Sequence, residues 1–149
     1  MSEGDRLKDY WLAQNIAINP GTSEAALHKF ESVYGVSLPP DLHEYFLTVN
    51  GMEQTATDEE LIRFWKLEEV RPVSEEAPAY ASTSYLPEAG SSFVFADYSI
   101  WAHAYSIHLS KSISGPNHVY VIGGTKPVMI AKSFSEFIDL YLIGKALDF

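Results

Sequence analysis

Residues 38–51 read LPPDLHEYFLTVNG, and the folding of this stretch decides how the chain around it is divided. Each residue before a proline is pushed out of helical space, so Leu38 and Pro39 are extended. Pro40 suits a first helical turn, where its missing N–H removes no bond. Asp41 places negative charge near the same helix N-terminus. Leu42, Tyr45, Phe46 and Val49 recur at three- and four-residue intervals, the spacing of a buried helical stripe. Asn50-Gly51 can then supply the positive φ that ends the helix. The same dipeptide also turns hairpins, but the residues before it have helical and not alternating periodicity. Local geometry therefore explains the unit as scaffold, without any appeal to catalysis.

Toward the N-terminus, Ala26, Leu27, Phe30, Val33 and Tyr34 form another stripe. Thr22 or Ser23 can cap that helix, and Gly35 stands where a left-handed C-terminal residue is wanted. INPGTS (18–23) breaks the chain ahead of it, and Leu7, Tyr10 and Trp11 predict a short helix over 5–14. Toward the C-terminus, TATDEE (55–60) is a polar loop and LIRFWKL (61–67) alternates as a strand does, with Arg63 and Phe64 on opposite sides. EEVRPVSEEAPAY (68–80), interrupted by Pro72, predicts a broken or short helical stretch, and ASTSYLPEAG (81–90) a loop. SFVFADY (92–98), WAHAYSIHL (101–109), HVYVIGG (118–124) and PVMIAKS (127–133) are short β-prone runs separated by turns such as SGPN (114–117). Their close spacing argues for antiparallel strands. Ser133 with Glu136 three residues on is the capping-box pattern. It opens a last helix whose apolar face is Phe137, Ile138, Tyr141 and Leu142 and which Gly144 ends. The expected architecture is α+β, with helices packed around a mostly antiparallel sheet, in one domain over 1–149.

Composition narrows the function. The chain has 149 residues, 46% apolar and 20% charged, enough to bury a core without disulfide or metal. It has no cysteine, which removes thiol chemistry and thiolate metal sites and fits a reducing compartment. The N-terminus lacks a basic segment followed by an apolar run, and no window approaches the roughly 20 apolar residues that span a bilayer. A cytoplasmic protein with no membrane partner is expected. Lys and Arg number 10 against 20 Asp and Glu, a net charge of −10. Such a surface repels phosphate backbones, which argues against nucleic acid. It attracts a basic partner, or the acidity simply keeps the protein in solution, the reading that composition alone favours.

Chemistry-bearing constellations are sparse. His103 and His108 are five apart, so on one continuous strand they face opposite sides, and no metal site is expected. There is no Gly-x-Ser-x-Gly elbow, and VIGGTKP (121–127) lacks phosphate-loop spacing and reads as a turn. Asp97, inside an apolar run, is expected to bind backbone amides of a following turn. No catalytic residue and no cofactor are expected. What stands out is an acidic band of Glu53, Asp58, Glu59, Glu60, Glu68, Glu69, Glu75 and Glu76, interleaved with Phe64, Trp65 and Tyr80. Carboxylates beside exposed aromatics make a protein-binding surface, the acids steering and the rings anchoring. The alternative is a solvated acidic face over buried aromatics, with Trp65 in particular in the core.

Four stretches in order carry a resemblance: SEAALHKFESVYGVSLPPDLHEYFLTVNG (23–51), IRFWKLEEV (62–70), FVFADYS (93–99) and SFSEFIDLYL (133–142). Together they resemble the SUKH superfamily (the Smi–Knr type of domain) from about Thr22 to about Leu142. The most specific part is Leu38-Pro39 with Asn50-Gly51, followed by Trp65 and Leu67-Glu68-Glu69. The chain departs from the commonest pattern after FADYS, where it has IWAHAYS in place of a polar turn. The resemblance implies an α+β binding scaffold and not an enzyme. It implies a bacterial immunity protein that neutralises a toxin, in several cases a nuclease, or, as the alternative, a regulatory scaffold of the same fold.

Overall fold

The computed structural model describes residues 1–149. Serines start three of the helices: Ser2, Ser23 and Ser133 each accept the amide three residues on, those of Asp5, Ala26 and Glu136. They open α1 (Glu3–Ala13), α2 (Glu24–Tyr34) and α5 (Phe134–Leu142), satisfying amides that a first turn leaves free. Gly35 ends α2 at φ 64°, a left-handed position that glycine occupies without steric cost. Pro39 and Pro40 start α3 (Pro40–Thr48) without a side-chain cap.

The larger sheet is antiparallel throughout, in the order β3 (Ile62–Phe64), β5 (Ser92–Tyr98), β6 (His103–His108), β7 (Val119–Ile122), β8 (Val128–Ala131). β3 covers the end of β5 nearer Tyr98, and β4 (Arg71–Pro72) pairs with its start at Phe93 and Val94. α4 (Val73–Glu76) follows directly. With helices packed on a mostly antiparallel sheet, the architecture is α+β.

One hydrophobic core joins helices and sheet. Phe95 and Tyr105 meet Phe137 of α5 at ring-centroid distances of 5.4 and 5.1 Å. Trp11 of α1 meets Phe64 at 5.0 Å. At the other end Phe93 packs on Phe30 and Tyr34 of α2, at 5.5 and 5.1 Å. Phe64 is fully buried toward the helices, so by strand alternation Arg63 faces the opposite side, where its register partner is Asp97.

Two expectations need correction. Asn50-Gly51 does not end α3; the helix stops at Thr48, Val49 is already extended at φ −147°, and Val49–Met52 forms β2. Its partner is β1 (Ile18–Pro20), inside the stretch expected only to break the chain. Asn19 fixes the pairing by donating from Nδ2 to the carbonyls of Asn50 and Met52, both at 3.0 Å. The strand expected over 61–67 is only Ile62–Phe64. Trp65 still donates its amide to the Phe95 carbonyl at 2.8 Å, beside a register shift in β5 between Val94 and Ala96, and Leu67–Glu69 then turns as a 3-10 helix. Between exposed and buried aromatics, left open by the sequence, the fold selects the second for Phe64 and Trp65, which are core residues 0% and 4% exposed.

Candidate functional site

The side of β3 and β5 that faces away from α5 carries a polar pocket of about 390 Å³. Its floor is Asp97 and Arg63, one wall is the loop Gln54–Thr57, and the other is Ile100 and Trp101 of the β5–β6 hairpin. Asp97 is 7% exposed; it accepts the indole N–H of Trp65 at 2.8 Å, a partner not expected, besides the backbone amide of Trp101 in the following turn. Burial pushes its carboxyl above the ordinary 3.8, aided by the Glu69 charge and opposed by the Trp65 hydrogen bond and the Arg63 charge. Arg63 is held by a two-pronged pair with Glu69 at 3.0 and 3.1 Å, and its guanidinium lies 5.5 Å from the Trp65 ring centroid. The side-chain groups next to Asp97 are an indole and a guanidinium, neither of them a nucleophile.

The hairpin tip above the pocket is strained. Ser99, Ile100 and Trp101 are all left-handed, at φ 51°, 53° and 67°, and neighbouring Leu61 is at 67°. For L-residues this conformation costs about 1–2 kcal/mol each, and for a β-branched residue such as Ile100 it is a true outlier. The surroundings hold it in place. Ser99 donates its amide to the Leu61 carbonyl and Ala102 to that of Tyr98, each at 2.9 Å. The Trp101 indole stacks on Tyr80 at 6.3 Å and 8° and donates to Glu76 at 3.3 Å. Tyr80 and Tyr85 in turn donate to the carbonyls of Gly123 and Gly124 in the β7–β8 turn, at 3.4 and 3.2 Å. Two hairpin tips are thus braced together, with Ile100 projecting 95% exposed.

The acidic band does not stay together. Glu53, Glu59 and Glu60 are exposed on the loop that walls the pocket, and none has an ion pair. Glu69 and Glu76 reach the pocket through Arg63 and Trp101, and Glu76 also lies 3.5 Å from Arg71. Glu68 accepts from Asn50 Nδ2 at 3.0 Å and borders a separate apolar groove beside α2, built around Phe30, Val33 and Tyr34. Glu75 acts electrostatically on Tyr34 of that groove. Glu69 and Glu76 are half-buried, and Asp58 departs furthest from the exposure expected of all eight: only 7% exposed, it points inward and accepts from the amides of Glu60 and Ile62 and from the Tyr141 hydroxyl, at 2.8, 2.9 and 2.6 Å.

Trp101, Tyr85 and Ile100 were not singled out from the sequence. The available signal was IWAHAYS itself, an Ile-Trp pair where a turn between two strands calls for small or polar residues. His103 and His108 do not converge: His108 Nδ1 faces Glu88 and Ser91, both at 3.3 Å, whereas the His103 ring packs on Phe149. No three His, Asp or Glu side chains are grouped to hold a metal ion. No helix is long and apolar enough to cross a membrane.

A model of the SMI1 / KNR4 family (SUKH-1) matches residues 21–140, which span α2 to α5 and include the whole pocket and hairpin tip. No curated protein matches the chain.

Proposed function

Because the chain belongs to the SMI1 / KNR4 family (SUKH-1), we propose that it is an immunity-type protein, a non-enzymatic domain that binds and neutralises a basic toxin domain. The observation that carries this reading is the set of exposed carboxylates without ion pairs, Glu53, Glu59 and Glu60, on the loop before β3, in a chain of net charge −10. Charges free of internal partners act at long range, so they speed encounter with a cationic surface and orient it before contact. A toxin that acts on nucleic acid is basic where its substrate lies. An acidic surface docked there occupies the substrate groove and competes with phosphate for the same lysines and arginines. Inhibition needs no chemistry from this chain, only shape and charge.

The test is co-expression with the product of the adjacent gene. The expected result is that the neighbour arrests growth alone, that this chain restores growth, and that the two co-purify. A neighbour that is harmless alone, or that forms no complex with this chain, removes the reading.

A further inference from the structure

We propose that Ile100 is the anchor of the partner interface, a side chain held out by a strained hairpin tip to enter an apolar socket on a basic protein. The inference rests on the binding function above and names the residue that would carry it.

Neither conformation nor packing within this chain accounts for Ile100. Its φ of 53° suits glycine or asparagine and disfavours a β-branched residue. At 95% exposure it buries almost nothing of its own. Singly exposed aliphatic residues are ordinary; one forced into a left-handed conformation is not. Such conformations persist where the surroundings over-determine them, and they gather at binding sites. Here they gather tightly. The non-glycine residues with positive φ are Asn15, Leu61, Ser99, Ile100 and Trp101, and Asn15 is of a type that tolerates it. The other four meet at this tip, joined by the hydrogen bond from Ser99 to Leu61.

Leu61 is a second, independent sign. It too is aliphatic, left-handed and 49% exposed, so two apolar side chains are presented where β3 begins and just beyond the end of β5. Glu59 and Glu60, both exposed, immediately precede Leu61 in the chain, and Glu76 accepts the Trp101 indole N–H. An apolar centre within a charged rim is the usual anatomy of a specific interface. A rim of carboxylates selects an occupant with cationic side chains around its socket. A second copy of this chain presents the same negative charge and is disfavoured.

The tip can be tested by separating stability from binding. Ile100→Asn removes the anchor while suiting the backbone, and Ile100→Val keeps a β-branched apolar side chain. Each is compared with wild type by thermal melting and by titration with the purified adjacent-gene product, its toxicity disabled, at two salt concentrations. Ile100→Asn is expected to melt at or above the wild-type temperature yet bind at least about ten-fold more weakly, with an unchanged salt slope. Ile100→Val should stay close to wild type in binding. A fall in melting temperature for Ile100→Asn overturns the proposal, as does wild-type affinity. So does a dimer of this chain alone that Ile100→Asn dissolves. If the wild-type chain itself does not bind, the proposed function fails, and this inference with it; if wild type binds and the variant binds equally, only the anchor is lost.

Discussion

Asp58 and Glu59 are neighbours in one polar run, TATDEE, and nothing in their local sequence separates them. The fold turns the first inward and the second outward. Asp58 ties the loop before β3 to α5 through Tyr141, whose hydroxyl also accepts the Trp11 indole at 2.9 Å. Asp58→Ala leaves that hydroxyl and two amides without their acceptor, so a loss of about 3 kcal/mol is expected in urea unfolding. A loss under about 1 kcal/mol would show that water replaces the carboxylate. Asp97 makes a prediction of opposite character. Its pKa is raised above 3.8, so between that value and the raised one the folded state holds a proton that the unfolded chain has released. Stability from this group is therefore greatest at low pH and falls as pH rises through the folded pKa. Asp97→Asn removes the burden, and the variant should gain in melting temperature on wild type as pH goes from about 4 to about 7. Parallel curves would sink the burial account.

Among the elements, α2 and α5 were legible because their signals are local. A serine cap and the amide it binds are three residues apart, and the apolar stripe repeats within the helix itself. β2 was not legible, because its partner β1 lies some thirty residues away and the two strands are short. The same distance hid the use of Asn50-Gly51. Asn50 Oδ1 accepts the Leu67 amide at 2.7 Å. Gly51, at φ 67°, lies where a Cβ would come within 2.6 Å of the Trp65 carbonyl. The dipeptide clamps β2 to the turn that follows β3, and so sets the sheet edge on which Arg63 and Asp97 meet. Gly51→Ala combines a left-handed penalty with a backbone overlap, so a destabilisation of about 2–4 kcal/mol is expected from the shift in urea midpoint. An effect below about 1 kcal/mol would mean that the turn at Trp65 yields freely.

For the whole molecule, the net charge of −10 predicts the kind of partner but not where it docks. The fold divides the acids: Glu68 and Glu75 go toward the α2 groove, and Glu53, Glu59 and Glu60 stay exposed on the loop before β3. Reversal of two of the loop charges, Glu59→Lys with Glu60→Lys, is expected to slow association with the basic partner and flatten the salt dependence of its affinity. Both residues are exposed, so the melting temperature should hardly move. Glu68→Lys with Glu75→Lys serves as the comparison, changing net charge equally at the other location. Equal losses in the two double variants would assign the effect to overall charge and not to the loop.

Readable in the chain alone were the α+β class, a helix start at Thr22 or Ser23, another at Ser133, the left-handed end of α2 at Gly35 and the acidic balance. These depend on residues a few positions apart or on simple counts. Tertiary structure alone decided that Asp58 faces inward, that Phe64 and Trp65 belong to the core, and that Trp101 is braced by Tyr80 across twenty-one residues of chain. Exposure belongs to a residue's surroundings and not to its type. Pairings between distant segments set those surroundings, and with them which carboxylates and which aliphatic side chain a partner can meet.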